Sequence, residues 1–269
     1  MTFSYEEFTT RNLGFVSADE QAKLRSARVF IPGVGGMGGS AIFCLARCGI
    51  ERFLFADMDE FEVSNLNRQM GAFLDTVGRF KAEVTGELLH KINPAISCQI
   101  YGAEWVEQIP QILDQVDLVI NGCDDVKATL ALMREAAKAR VTVIDAFGSP
   151  LPNVYVVSPD DPRPEELFGY PSLGLSLEEI TPDIAGGCFQ KEVEYVLSHS
   201  SSANHIDMEM AMEVAAGQRK RMSFAPMVWT TGCLMAYEAV RILLDRPGGP
   251  GPRGRFFNPW DWTIEGQLS

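Results

Sequence analysis

Residues 28–57 read RVFIPGVGGMGGSAIFCLARCGIERFLFAD, and this stretch decides the fold. Arg28–Pro32 is a short apolar run with strand character. Gly33 to Gly39 is a tight glycine turn. Ser40 to Cys48 has Ile42, Leu45 and Ala46 at helical spacing, with Gly49 as its stop. Arg52–Ala56 is a second apolar strand. Strand, turn, helix and strand in that order make a βαβ unit, whose strands are parallel and whose crossover is right-handed. Gly33, Gly35 and Gly38 satisfy G-x-G-x-x-G, which lets backbone approach a phosphate at a helix N-terminus. Asp57 follows Gly38 by 19 residues and ends the second strand, where a carboxylate can accept ribose hydroxyls. The pattern fits NAD, FAD or ATP alike.

The alternation continues outward. Gly78 to Ile92 reads as a helix ending before Pro94, and Ser97 to Tyr101 as a strand. Pro110 to Gln115 is a short helix, Leu118 to Ile120 a buried strand, Asp125 to Ala139 a helix and Val141 to Ile144 another buried strand. Upstream, Ser17 and Glu20 have capping-box spacing for a helix from Ala18 to Arg25. The expected fold is α/β: a doubly wound, Rossmann-like, mostly parallel sheet with helices on both faces and a mixed C-terminal extension. The expected parts are an N-terminal helical arm (1–27), a nucleotide-binding core (28–157) and a crossover segment for substrate recognition (158–221). A C-terminal helix and strand (222–269) complete the same domain. Within the last two parts, Asn153 to Val157 reads as a strand and Ser158 to Glu166 as a loop. Thr181 to Phe189, with Pro182 and Gly186-Gly187, reads as flexible, and Ser198 to Asn204 as a mobile loop. Asp207 to Gly217 and Met227 to Leu244 read as helices. Met208, Met210 and Met212 make a Met-rich face, read as helical core in preference to an adaptable binding surface.

Composition narrows the function. Of 269 residues, 46% are hydrophobic, enough for a full core, and the net charge is −13. So acidic a surface repels phosphate backbones and anionic lipids, which argues against nucleic-acid and membrane partners. Residues 1–10 have no basic segment followed by an apolar one, so no signal peptide is expected. The six cysteines are scattered without a C-x-x-C pair, which points to reduced thiols and a cytoplasmic location. His90, His199 and His205 form no set and read as surface residues.

The residues around the glycine loop discriminate among nucleotides. Asp59 follows Asp57. Ser64-Asn65-Leu66-Asn67-Arg68-Gln69 comes next, then Lys81, then Asp124 and Asp125 past the strand Leu118 to Ile120. A hydride-transfer site has no use for so many polar and cationic groups, whereas a triphosphate needs cations, and an Asp at a strand end can hold Mg²⁺. Taken as a spaced set, these residues resemble the ThiF/MoeB/HesA adenylating enzymes, relatives of ubiquitin-activating enzyme. The resemblance is strong over about residues 11–147. It returns at Val228 to Val240 and at Arg255 to Pro259.

The resemblance implies an ATP-dependent adenylyltransferase. Such an enzyme activates a carboxylate, often a protein or peptide C-terminus, as an acyl-adenylate and releases pyrophosphate. It implies that Gly33, Gly35, Gly36 and Gly38 cradle phosphate, that Asp57 binds ribose with Asp59 beside it, and that Asn65, Arg68 and Lys81 bind the triphosphate. Asp124 would hold Mg²⁺. Arg11 sits where the family places an arginine that reaches the partner's ATP, so a homodimer is implied. Many members bind zinc through two C-x-x-C pairs. This chain has none, so no zinc is expected. Some relatives form a thioester on a cysteine, and Cys188, beside Gly186 and Gly187, is the candidate, read as exposed and mobile. The alternatives are an enzyme like the tRNA threonylcarbamoyladenosine dehydratase, a NAD(P)-binding oxidoreductase, which would leave Arg68, Lys81 and Asp124 without roles, and a non-catalytic regulator.

Overall fold

The computed structural model describes residues 3–215 and 218–266. Its centre is an eight-stranded sheet of β1 (Arg28–Pro32), β2 (Arg52–Ala56), β3 (Ser97–Tyr101), β4 (Leu118–Ile120), β5 (Val143–Asp145), β6 (Asn153–Val157), β7 (Arg255–Asn258) and β8 (Thr263–Glu265). In space the strands run β3-β2-β1-β4-β5-β6-β7-β8. Pairings from β3 to β5 are parallel, and those from β5 to β8 are antiparallel. The order reverses between β1 and β4, where open α/β sheets leave a crevice at their C-terminal edge.

The helices are α1 (Tyr5–Thr9), α2 (Ala18–Ser26), α3 (Met37–Arg47), α4 (Lys81–Ile92), α5 (Ile109–Leu113), α6 (Val126–Ala139), α7 (Pro164–Leu167), α8 (Pro182–His199), α9 (Met208–Ala215) and α10 (Ala225–Leu243). They cover both faces of the sheet because β1 and β2 are apolar and buried at every position after their leading arginines, Arg28 and Arg52. Side chains alternate across a strand, so Val29, Ile31, Phe53 and Phe55 pack with Leu45 of α3 and Met235 of α10. Phe30 and Leu54 point the other way, into a layer with Ile112, Leu132 and Val196. Continuous apolar strands of this kind mark a sheet buried on both sides. At Gly232, α10 lies close against α3: a Cβ there would overlap the Ser40 side chain and stand 2.6 Å from the Met37 carbonyl.

Several elements differ from the sequence expectation. The helix expected from Ser40 begins at Met37, so Gly38 and Gly39 are helical, and the one expected from Gly78 begins at Lys81. The strand expected from Val141 begins at Val143. Thr181 to Phe189 is not a flexible segment. Thr181 caps α8 by accepting from Ile184 N at 3.3 Å, and Pro182 occupies the first turn, where its missing N–H costs nothing. The expected mobile loop at Ser198 to Asn204 instead holds the end of α8 and a 3₁₀ turn from Ser202 to His205, with Ser202 fully buried. Met208 and Met212 are 39% and 64% exposed, so α9 does not bury them in a core. His199 is partly buried and stacks on Tyr195 with ring centres 4.2 Å apart. Residues 216–217, where the α9 pattern was expected to end, lie outside the described residues.

Candidate functional site

The glycine loop is built by close backbone approach. Gly33 N donates to Ala56 O at 2.7 Å, and Gly122 N donates to Pro32 O at 2.8 Å. Gly33 has φ +81°, a left-handed conformation that side chains disfavour. A Cβ at Gly33 would overlap the Gly122 carbonyl and stand 2.8 Å from Cys123 N, and one at Gly38 would overlap the Gly33 carbonyl. These glycines let the loop close on itself and against the exit of β4, directly before Asp124. The N-terminus of α3 then points its unpaired amides into the crevice.

Asp57 ties the second strand to the loop. Its Oδ2 accepts from Val34 N at 2.9 Å, and its Oδ1 accepts from Asp59 N at 3.1 Å. Burial pushes the Asp57 carboxyl above its ordinary value, and the Lys81 charge opposes that rise. Lys81, the first residue of α4, is almost wholly buried, and its Nζ lies 2.7 Å from Asp59 Oδ2. Its carboxylate partner is largely exposed, so the pair is held by position more than by strength.

Asn65 is buried and accepts from Glu62 N at 3.0 Å, closing a turn at Val63–Asn65. Arg68 is half-buried, which pushes its guanidinium below its ordinary value. Its Nη1 donates to Ser64 O and to Asn67 Oδ1, both at 2.9 Å. The motif is also clasped from above: Trp229 Nε1 donates to Arg68 O at 2.7 Å, Asn67 Nδ2 donates to Ser223 O at 3.1 Å, and Lys220 pairs with Glu62 at 3.1 Å. Sequence reading assigned no role to Trp229 or Gln69. Gln69 is buried beside Gly35, with its Oε1 unpaired among the described residues. Its only signal in the sequence was its place directly after Arg68.

Asp124 is exposed at the end of β4, and Asp125 caps α6 by accepting from Ala128 N at 2.7 Å. Cys123 is packed beneath them, where burial pushes its thiol up to about 12. The structure therefore brings the glycine loop, Asp57, Asp59, Lys81, the Asn65–Gln69 motif and Asp124 to one edge of the sheet. Two expected residues are placed otherwise. Arg11 is exposed on the turn Thr10–Asn12, and among the described residues no hydrogen bond links it to this edge. Cys188 is neither exposed nor mobile: it lies inside α8, 1% exposed, among Leu130, Tyr170 and Ile180. A thiol so enclosed lacks the access that a nucleophile needs.

A family model described as the ThiF family matches residues 9–267. The chain belongs to the ThiF family. Among curated ThiF-like relatives, the tRNA threonylcarbamoyladenosine dehydratase of Haemophilus influenzae is 33% identical over 134 residues, covering 49% of this chain and 51% of that protein. The adenylyltransferase and sulfurtransferase uba4 of Aspergillus clavatus is 39% identical over 118 residues, 44% of this chain and 24% of that protein. The chain thus spans about half the length of the curated dehydratases it matches. Among solved structures, the E. coli tRNA threonylcarbamoyladenosine dehydratase with AMP superposes with TM-score 0.64 at 18% identity, covering 91% of this chain and 97% of that one. The microcin C7 biosynthetic enzyme MccB with N-formylated MccA gives 0.67 at 20%, covering 99% and 74%. At these identities the likeness concerns the fold.

Proposed function

We propose that the protein is an ATP-dependent adenylyltransferase that activates a carboxylate, at a protein or peptide C-terminus, as an acyl-adenylate. The observation that carries this is the glycine loop held on three sides, by Asp57 through Val34, by Gly122 and Cys123 before Asp124, and by Gln69. Backbone donors, a buried carboxylate and two positioned cations then share one edge. The donor set suits a nucleoside triphosphate. Asp57 would take the ribose, and Asn65, Arg68 and Lys81 the phosphate oxygens. Asp124 would hold Mg²⁺, which when bound neutralises phosphate charge. An acceptor oxygen then bonds to the α-phosphorus as the bond to pyrophosphate breaks. Lys81 and Arg68 need not exchange protons. They meet negative charge as it shifts to the leaving group, and their fixed positions supply the rate.

The curated dehydratase relatives favour a second reading, in which the activated carboxylate belongs to a modified tRNA nucleoside. The chain's −13 charge supports a peptide instead. ATP–pyrophosphate exchange on the purified chain tests both, with peptides and with threonylcarbamoyladenosine-containing tRNA as acceptors. Exchange that requires a peptide carboxylate and falls at least about 100-fold in Asp124→Ala is the expected result. Exchange driven only by the tRNA would move the assignment to the second reading. NAD(H) binding in place of ATP would end both.

A further inference from the structure

Arg68 is held by neutral atoms. Its Nη1 donates to Ser64 O and to Asn67 Oδ1, both at 2.9 Å, which spends both hydrogens of that nitrogen. Among the described residues, Nε and Nη2 make no hydrogen bond and no carboxylate forms an ion pair with the guanidinium. An arginine carries five N–H donors, so three remain, on the edge of the fork that can meet two oxygens of one anion at once. Half-burial disfavours the charge. It is opposed by Glu62, which is itself paired with Lys220 at 3.1 Å. A guanidinium drawn partly out of water with no counter-ion of its own is prepared for an anion from outside.

The atoms that hold Arg68 are fixed in turn. Asn67 Nδ2 donates to Ser223 O at 3.1 Å. A carbonyl only accepts, so Ser223 sets the amide with its nitrogen outward and its oxygen toward Arg68. Turned over, the amide would face Nη1 with its own N–H groups and lose both bonds. The backbone is fixed separately. Trp229 Nε1 donates to Arg68 O at 2.7 Å, while Arg68 N donates to Asn65 O at 3.1 Å. Ser223 stands just before α10 and Trp229 lies in its first turns, so one element grips both the side chain and the main chain of Arg68. The two bonds span 156 and 161 positions of sequence.

We propose that Asn67 and Trp229 are positioning residues for Arg68, which together hold its guanidinium by one edge and leave the other edge and the charge for a phosphate of the nucleotide. The identity of the anion rests on the adenylation reading, whereas the grip rests on the bonds themselves. An arginine side chain is rich in rotamers, and freedom surrendered before binding is not lost again on binding. Neither residue needs to touch the nucleotide.

A double-mutant cycle on the full chain tests this, with Mg·ATP affinity read by calorimetry. Asn67→Ala with Trp229→Phe should weaken ATP by at least about tenfold when Arg68 is present, the loss expected of two partly exposed hydrogen bonds. In the Arg68→Ala background the same pair should change it by less than about twofold, because no guanidinium is left to place. Equal losses in both backgrounds, as from a role in the fold alone, or no loss in either, would overturn the proposal. Nitrogen-15 spectra of the arginine side chains give a readout without nucleotide. Slow rotation should keep the Arg68 Nη signals apart in wild type, and they should merge in Asn67→Ala. Merged signals in wild type would also overturn it. Pyrophosphate exchange separates the two readings. A coupled cycle without exchange under any acceptor upholds the positioning and ends the adenylation. Exchange with an additive cycle does the reverse.

Discussion

At the scale of single residues, the site depends on charges fixed by burial. Lys81 is nearly buried yet meets only the exposed Asp59 carboxylate. Lys81→Met keeps the stem and removes the charge. Pyrophosphate exchange should fall at least about 100-fold while the thermal midpoint moves little, since a pair with one exposed partner contributes about 1 kcal/mol or less. Asp145 behaves differently. Burial outweighs its hydrogen bonds and pushes its carboxyl up to about 7 from an ordinary 3.8. The folded protein therefore keeps a proton that the unfolded chain releases. Stability from this group is complete below about pH 4 and is lost as pH rises through 7. Asp145→Asn removes the titration. Compared with wild type across pH 4 to 8, the unfolding free energy of the variant from urea melts should gain steadily, by about 4 kcal/mol at most. A flat difference would show that Asp145 ionises normally. The place of Asp57 beside the glycine loop was legible from its distance past the glycines. That of Asp145 was not, because its burial arises only when β6 pairs beside β5 and brings Tyr155 to it.

At the scale of elements, most strands and helices of the core were legible locally, with starts shifted by two or three residues at α3, α4 and β5. The βαβ unit announces itself because apolar strands, a glycine turn and helical spacing are all short-range signals. The helix α8 was missed because Pro182 and Gly186-Gly187 look like breakers. In the structure the proline sits in the first turn, Gly187 leaves room for Pro171 at 3.0 Å from where a Cβ would stand, and the helix buries Cys188, Tyr195 and Val196. Tertiary packing outweighs local propensity there. The same misreading produced the exposed Cys188. Packing of α10 on α3 is a further long-range feature, and it bears on the nucleotide because α3 carries the glycine loop at its start. Gly232→Val would force the two helices apart. It should cost about 1–3 kcal/mol in chemical denaturation and weaken ATP binding measured by calorimetry. Lost stability with intact ATP affinity would show that α3 holds its loop without α10.

At the scale of the whole molecule, a parallel half supplies the crevice and an antiparallel half extends the sheet through β6, β7 and β8. The parallel half was legible because β1, β2, β4 and β5 are separate, mostly apolar runs joined through helices, while β3 at the edge is mixed and largely exposed. Between β6 and β7 the helices α9 and α10 were legible, but α7, α8 and the packing of this excursion were not, since that packing joins residues far apart in sequence. No helix among the described residues is long and apolar enough to cross a membrane. The charge of −13 makes a global statement about partners. In filter binding at about 0.15 M salt, unmodified tRNA should bind no better than about 10⁻⁴ M, the weak end of non-specific association. Micromolar retention would reveal a local basic surface and favour the tRNA reading.

The bond from Trp229 to the Arg68 carbonyl also gives the protein an optical property. An indole partly open to water, anchored to the backbone of the Asn65–Gln69 motif, changes its emission whenever that backbone shifts. Trp105 is buried and Trp260 and Trp262 stand far out in solvent, so their light forms a steady background. Filling and emptying of the crevice can thus be followed in real time by intrinsic fluorescence, with Trp229→Phe as the dark reference and no attached dye.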